Sequence, residues 1–430
     1  MSSYIIYNGN MLEEIEKLEK DSIDSIITDP PYELNFMGKD WDNAGVSYNK
    51  HTWEKCLRVL KPGGYLLAFG GSRTFHRIAC AIEDAGFEIK DTIMWLYGSG
   101  FPKSMNIGLE VDKKLGNESK VVGSGKSGVS SRAYQSLETT TAGSYEIKEA
   151  QNEWNGWGTQ LKPAFEPIIV ARKPVENTVV DNVMKYRTGG YNIDACRIPL
   201  ESNYEYKTTN RNTRQDDKVF NNKSCGFKSE NNNTAVANPK GRYPSNVILT
   251  YDDSDYDEVC GGFPITGQSN NTGIAYTYDK EYDNANIFDN IGNKPNAPSN
   301  YNDLGSASRY FYCAKASNKD RDAGLKFLQN THNTHPTVKP IELMQYLVRL
   351  VTAKGGVVLD PFMGSGSTGK AVMCENVTKH MDYTFIGIEL EKEYCNIAQA
   401  RMANVEGDIV REDEKHNITV EHKYKPIKLF

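Results

Sequence analysis

Residues 357–369, VVLDPFMGSGSTG, decide the fold. The apolar run from Val357 to Asp360 has the length and character of a buried strand. It gives way at Pro361 to a glycine turn, and the turn opens a helix. Read from Gly364, the spacing is G-x-G-x-x-G, formed by Gly364, Gly366 and Gly369. Glycines let a ligand approach the backbone closely, and a helix N-terminus offers free N–H groups. A second apolar strand, Tyr383 to Glu389, follows the helix and ends in a carboxylate, placed to bind the two hydroxyls of a ribose. This strand–helix–strand unit fits an adenosine-containing cofactor, and by itself it suits NAD, FAD and S-adenosylmethionine alike.

The same alternation appears elsewhere in the chain. Ile341 to Ala353 is an amphipathic helix ended by Lys354, Gly355 and Gly356. At the other end of the sequence, residues 4–7 read as a strand. Residues 11–19 read as a helix with Met11, Leu12, Ile15 and Leu18 on one face, and Ile23 to Thr28 as a strand. A helix over 51–60 is expected to stop at Lys61-Pro62-Gly63-Gly64, followed by a strand from Tyr65 to Phe69. A helix over Arg73 to Ala85 and a strand over 87–97 complete the series. Strands alternating with helices argue a parallel α/β sheet, here a Rossmann-like one.

The texture changes near residue 98. Residues 98–160 are rich in Gly and Ser, and a strand over Phe165 to Arg172 interrupts the irregular stretch. Residues 201–240 and 264–303, rich in Asn, Tyr, Asp and Gly, read as long loops. The expected division is therefore 1–110 as one half of an α/β domain and 111–170 as a Gly/Ser-rich loop with a returning strand. An inserted, irregular recognition region follows over 171–330, and 331–430 forms the cofactor half and tail.

Bulk properties narrow the class. A chain of 430 residues with 38% hydrophobic residues can bury a large core. No run approaches 18 apolar residues, and the N-terminus lacks the pattern of a signal peptide, so a cytoplasmic, membrane-free protein is expected. The cysteines are scattered singly, which points to reduced thiols and to no metal site. The net charge of −6 speaks against a non-specific nucleic-acid coat. Yet residues 171–245 carry 13 Lys/Arg against 8 Asp/Glu, while 251–303 carry 2 against 10, so one local face can still be basic.

Asp29-Pro30-Pro31-Tyr32 lies at the end of the Ile23–Thr28 strand. These residue types suit one chemistry. An exocyclic base amine is a poor nucleophile, because its lone pair is delocalised into the ring. Asp29 can accept one N–H and the Pro30 carbonyl the other, which favours a pyramidal nitrogen. Proline brings no competing N–H. Tyr32 offers a flat face to a base drawn out of the duplex. Other chemistries fit less well. Residues 121–127, VVGSGKS, look like a P-loop, but Lys120 stands where the first Gly belongs. Attack through cytosine C5 needs a Pro-Cys nucleophile, and no Pro-Cys pair occurs. His335 suits a positioning role in a turn better than that of a general base.

With both motifs in one chain, the sequence resembles the DNA amino-methyltransferases, which carry D/N/S-P-P-Y/F/W and a D-P-F-x-G-S-G-T element. Having the catalytic motif first and the cofactor motif last resembles the permuted β-class order. Residues 9–12 (GNML) resemble the family's G-D-x-L element, with Asn10 in place of Asp. Residues 334–340 (THPTVKP) resemble its H-P-T-x-K-P element, residues 60–66 its helix-to-strand turn, and residues 154–173 and 308–323 segments of bacterial and phage members. Ser367 between Gly366 and Thr368 is a variation on the cofactor motif.

The resemblance implies a Rossmann-like fold, S-adenosylmethionine as cofactor and duplex DNA carrying a specific word as partner. The enzyme would act as a monomer or homodimer. Asp29, Pro30, Pro31 and Tyr32 are the implied catalytic residues. Asn10, Asp29, His335, Thr337, Lys339, Asp360, Phe362, Gly364, Gly366 and Glu389 are the implied cofactor contacts. Arg172, Lys173, Lys185, Arg187 and Arg197 are expected near DNA phosphates. Methylation of adenine N6 is the first expectation, because Asp-Pro-Pro-Tyr tends to mark adenine in this family. Cytosine N4 is the alternative, and a DNA-binding regulator without chemistry is the rival of another class.

Overall fold

The structure is a computed structural model. It describes residues 4–33, 45–97, 104–126, 144–198, 240–250, 265–266, 305–306, 311–313, 321–322, 325, 333–335 and 337–405. Most of the stretch expected to recognise DNA, including 201–239 and 267–303, lies outside the described residues.

The chain divides into two compact units. The first comprises 1–192, 246–259 and 313–430, the second 193–245 and 260–312. The first unit is built on a sheet whose strands are β1 (Tyr4–Asn8), β2 (Ile23–Thr28), β3 (Leu60–Phe69) and β4 (Glu88–Tyr97) from the first quarter of the chain. A separate antiparallel pair, β5 (Lys120–Lys126) and β6 (Ser144–Glu149), follows. The sheet then takes β7 (Phe165–Arg172) and β8 (Val247–Thr250). Beyond the short antiparallel pair β9 (Ile265–Thr266) and β10 (Gly305–Ser306) of the second unit, it takes β11 (Tyr312–Cys313), β12 (Val357–Asp360) and β13 (Thr384–Glu389). Its order is β1-β13-β12-β2-β3-β7-β4-β8-β11.

The pairs β1–β13, β13–β12, β12–β2, β2–β3 and β4–β8 are parallel, whereas β7 runs antiparallel to both β3 and β4. The sheet is thus the expected Rossmann-like α/β one, with β7 reversed near its middle. The strand expected over Phe165 to Arg172 is β7, and it enters the sheet between β3 and β4.

Helices of the described residues flank the sheet and the hairpin. They are α1 (Met11–Glu14), α2 (Lys50–Val59), α3 (Phe75–Asp84), α4 (Ile107–Leu115), α5 (Val179–Tyr186), α6 (Ile341–Val351), α7 (Ser367–Lys379) and α8 (Lys392–Ala403). Successive strand residues point to opposite faces. Leu66 and Ala68 join Trp53, Cys56, Ile78 and Ile82 in one buried layer, and the alternate positions Leu67 and Phe69 are buried on the other side. Trp53 is fully buried, and its indole N–H donates to the Ser47 carbonyl at 2.9 Å, which satisfies its one polar atom.

One expectation fails at the edge of β3. Lys61-Pro62-Gly63-Gly64 does not form a turn outside the strand but belongs to its first half. α2 ends at Val59 as foreseen, yet the chain is extended at once from Leu60. The Lys61 ammonium is held by Asp24 of β2 at 2.8 Å, and Lys173 N–H donates to the Gly64 carbonyl at 2.9 Å. Those partners capture a stretch whose local signal says stop. The P-loop-like residues 121–126 lie in β5 of the hairpin, not at a helix start, and Ser127 is outside the described residues.

From β2 the chain proceeds to β3 on one side, and from β12 to β13 on the other. The point where the order reverses therefore falls between β2 and β12. In open α/β sheets the crevice at the carboxyl ends of such a pair is where ligands bind. Asp29 follows β2 and the glycine turn follows β12, so the topology sets the two motifs side by side although 330 residues separate them.

Candidate active site

A cleft of about 1130 Å³ opens at this point, lined by Asn10, Asp29 to Tyr32, Glu166, Lys339, the 360–365 turn and Glu389 among others. Its floor is a buried clamp. The Asp360 carboxylate accepts from Thr28 Oγ1 at 2.7 Å and from Thr368 Oγ1 at 2.6 Å, and Phe362 N–H donates to it at 3.2 Å. Asp360 thus joins the ends of β2 and β12 to the first turn of α7, and the contacts seen are internal ones.

Burial raises its pKa from 3.8 to about 7, against the opposing pull of those hydrogen bonds. In that window the folded state holds a proton that the unfolded state has released, so this group's contribution to stability falls as pH rises. Asp360→Asn cannot ionise. We expect its melting temperature to decline less than that of the wild type between about pH 4.5 and about pH 7.5. Parallel declines in a calorimetric pH series would refute the raised pKa.

The glycine turn is fastened from beneath. Gly364 and Gly366 take φ of +53° and +78°, a region that side chains rarely adopt. A Cβ on Gly366 would also meet Cβ of Ala398 at 2.7 Å, so this glycine lets α8 close on the turn. Arg401 of α8 is fully buried, and its guanidinium donates to the Ser365 carbonyl at 2.7 Å and to Ser365 Oγ at 3.1 Å. Glu389 ends β13 with Oε2 accepting from Gly364 N–H and Oε1 from Glu391 N–H, both at 2.8 Å. Each oxygen keeps a lone pair for a further donor. Asn10 caps α1 through Leu12 N–H at 3.0 Å and stands beside Glu389, because Gly9 N–H donates to the Glu389 carbonyl.

His335 lies against the same turn. Its Nδ1 is 3.0 Å from the Thr337 carbonyl, and its ring packs edge-on to Tyr394 with 4.6 Å between centroids. Burial pushes its pKa down to about 4, which leaves the imidazole neutral.

Across the cleft, Asp29 is at the centre of a polar cluster. Tyr32 Oη lies 2.8 Å from Asp29 Oδ1 and 2.9 Å from Glu166 Oε2. Lys339 Nζ donates to Asp29 Oδ2 at 2.6 Å and makes an ion pair with Glu166 Oε2 at 3.2 Å. Burial, reinforced by the two carboxylates, keeps the Tyr32 phenol protonated far above the ordinary tyrosine range. Burial works against the Lys339 ammonium, but Asp29 and Glu166 outweigh it and raise its pKa. Tyr97, whose hydroxyl is 3.5 Å from Glu166 Oε1, is pushed up to about 12 by burial and by that carboxylate.

The proline carbonyls differ. Ser47 Oγ donates to the Pro31 carbonyl at 2.7 Å and Tyr48 Oη to the Tyr32 carbonyl at 3.2 Å. Among the described residues nothing donates to the Pro30 carbonyl.

The structure therefore gathers Asn10, Asp29 to Tyr32, His335, Thr337, Lys339, Asp360, Phe362, Gly364 and Glu389 around one cleft, with Gly366 behind the turn. Lys339, expected on the cofactor side, pairs with Asp29. The expected DNA cations behave otherwise. Antiparallel β7 sets Arg172 beside Tyr65, at the end of the sheet away from Asp29. Arg172 pairs with Glu88 at 2.7 Å, and Lys173 with Asp21 at 2.6 Å. Lys185 of α5 pairs with Glu176 at 2.7 Å, and α5 is tied to the Pro62 carbonyl through Asn182. Arg187 donates to the Lys354 carbonyl ahead of β12.

These four cations, expected near DNA phosphates, therefore stand apart from Asp29, each held by a partner within the first unit. Arg197 belongs to the second unit, where it pairs with Asp194 at 2.8 Å. Sequence reasoning missed Glu166, Tyr97 and Arg401. None of them belongs to a motif of the kind that marks Asp29 or Gly364.

A family model described as DNA methylase matches residues 23–400. Type II methyltransferase M.HindIII of Haemophilus influenzae is 27% identical over 231 residues, 44% of this chain and 64% of that protein. Type II methyltransferase M.HpaI of Haemophilus parainfluenzae is 38% identical over 105 residues, 22% of this chain and 32% of that protein. The chain thus spans less than two thirds of either relative. Among solved structures, the PvuII DNA methyltransferase, described as cytosine-N4-specific, aligns with a TM-score of 0.42 at 14% identity. That alignment covers 93% of this chain and 86% of that one.

Proposed function

This chain belongs to the DNA methylase family whose model spans its residues 23–400, and from that membership we propose that it methylates an exocyclic amine in DNA, N6 of adenine, within a specific word. The observation that carries the reading is the pairing of two strand ends. Asp29 and the available Pro30 carbonyl stand in the same cleft as the glycine turn and Glu389. The cleft suits S-adenosylmethionine. Its volume accommodates a nucleoside cofactor with a nucleobase beside it, Phe362, Leu390 and Tyr394 provide apolar and aromatic walls, and Glu389 keeps acceptor capacity. When bound, that cofactor supplies an electrophilic methyl group.

The protein's part is positioning. A base rotated out of the duplex would present its amine to Asp29 and the Pro30 carbonyl, which accept its two N–H bonds and direct the nitrogen lone pair across the cleft. Asp29 also opposes the positive charge that grows on that nitrogen. The Tyr32 hydroxyl is held by two carboxylates, so its ring is fixed where a base can rest on it. The two relatives described above, both Type II methyltransferases, support a role in restriction–modification. The test is transfer of tritiated methyl groups to DNA, followed by nucleoside mass spectrometry. N6-methyladenine is expected. N4-methylcytosine would overturn the choice of base, and no incorporation would overturn the reading.

Glu389→Ala removes the acceptors proposed for the ribose. Cofactor affinity should weaken by about 1–3 kcal/mol, the scale of hydrogen bonds to a charged group. Unchanged affinity by titration calorimetry would reject the ribose assignment.

A further inference from the structure

Lys339 raises an electrostatic difficulty for the reading above, on which this inference rests. Its ammonium is 2.6 Å from Asp29, and both side chains are largely shielded from water. A simple ion pair would cancel the negative charge that the amine needs. The surroundings of Lys339 are richer than a pair, however. An ammonium has three protons, and three oxygens stand around this one. They are Asp29 Oδ2 at 2.6 Å, Glu166 Oε2 at 3.2 Å and Tyr32 Oη at 3.3 Å. The Phe69 ring lies 5.0 Å from Nζ and gives the cation an aromatic face on another side. With the phenol neutral, two carboxylates and one ammonium leave the cluster with a net charge of −1.

We infer that Glu166 is a positioning residue for methyl transfer. It takes up the charge of Lys339, so that Asp29 keeps a full negative charge for the target amine while Lys339 and Tyr32 hold its carboxylate in place. Glu166 reaches this position because β7 runs antiparallel, which puts the Phe165 end of the strand at the cleft. It acts through Lys339 and Tyr32 and need not touch the substrate. Without it, Lys339 would turn to Asp29 alone, and the amine would meet a neutral pair.

A charge-neutralisation cycle tests this. Glu166→Gln keeps the shape and hydrogen-bonding reach of the side chain but brings the cluster to zero. Single-turnover kcat should fall by roughly ten- to a hundredfold, the scale of one unit charge in a partly buried site. KM for DNA and the calorimetric cofactor affinity should change little. Adding Lys339→Met restores the net charge of −1, so Glu166→Gln/Lys339→Met should be faster than Glu166→Gln. Glu166→Asp, which keeps the charge, should be faster than Glu166→Gln as well. A merely structural role predicts the reverse for the double variant, because two buried partners are then lost. Wild-type kcat in Glu166→Gln, or a double variant no faster than it, would overturn the inference while leaving the methyltransferase reading intact. A wild-type protein that transfers nothing to DNA would overturn that reading and this inference with it.

Discussion

Asp29→Ala is expected to lower methyl transfer by roughly a thousandfold or more, the scale of losing both a positioned acceptor and an electrostatic stabiliser. The target amine has its lone pair in the ring. Only an acceptor on its N–H bonds localises that pair, and a methyl side chain accepts nothing. The loss should fall on kcat more than on binding, because Asp29 matters most as charge develops on the nitrogen. Cofactor affinity should persist, since Glu389 and the 364–366 turn stand at other strand ends. Lys339 would then be left with Glu166, which keeps the ammonium paired. The measurement is tritiated methyl transfer under single-turnover conditions, with cofactor calorimetry alongside. Near-normal transfer by a folded Asp29→Ala variant would reject the mechanism.

Arg401→Ala is expected to destabilise the first unit by about 3 kcal/mol or more, because it removes charged hydrogen bonds from a site closed to water. The guanidinium is fully buried and holds both the carbonyl and the hydroxyl of Ser365. Removing it orphans that carbonyl and leaves a void under the turn. Two readouts should move together. Chemical denaturation should show the loss of stability, and calorimetry a cofactor affinity weakened about tenfold or more, as the turn loses its support. Arg401→Lys, which can still reach the carbonyl, should lose less on both. A variant that is destabilised yet binds cofactor normally would show that Arg401 serves the core and not the turn.

Much of this architecture was legible in the residues. The strand before Pro361 opens on the apolar run Val357 to Leu359, the strand before Asp29 carries Ile23, Ile26 and Ile27, and their glycine and proline boundaries are local signals. The limits of β7 were also visible, from Phe165 to Arg172. Its direction was not, because reversal depends on partners from β3 and β4 roughly a hundred residues away, and no local pattern encodes it. That single hidden fact sets Arg172 and Lys173 at the end of the sheet away from Asp29, and it brings Glu166, which no motif marks, to the cleft. At Lys61–Gly64 the helix stops as its residues signal, but the stretch joins β3 instead of forming a separate turn, because Asp24 and Lys173 hold it. Arg401 was invisible because an arginine in a helix usually faces water.

The sheet order also governs how the chain matures on the ribosome. β1 and β2 are the first strands made, yet β13 and β12 stand between them. Until residue 357 has left the exit tunnel, the inner edge of β2 has no neighbour to bond, although every residue of that strand is destined for burial. An unpaired apolar edge is a template for the wrong strand. The nascent chain must therefore carry a sticky, half-built sheet through most of its synthesis, and the site at the junction of β2 and β12 cannot exist in any shorter intermediate. Pairing strands so far apart in sequence slows folding, because a long loop must close before the contacts form.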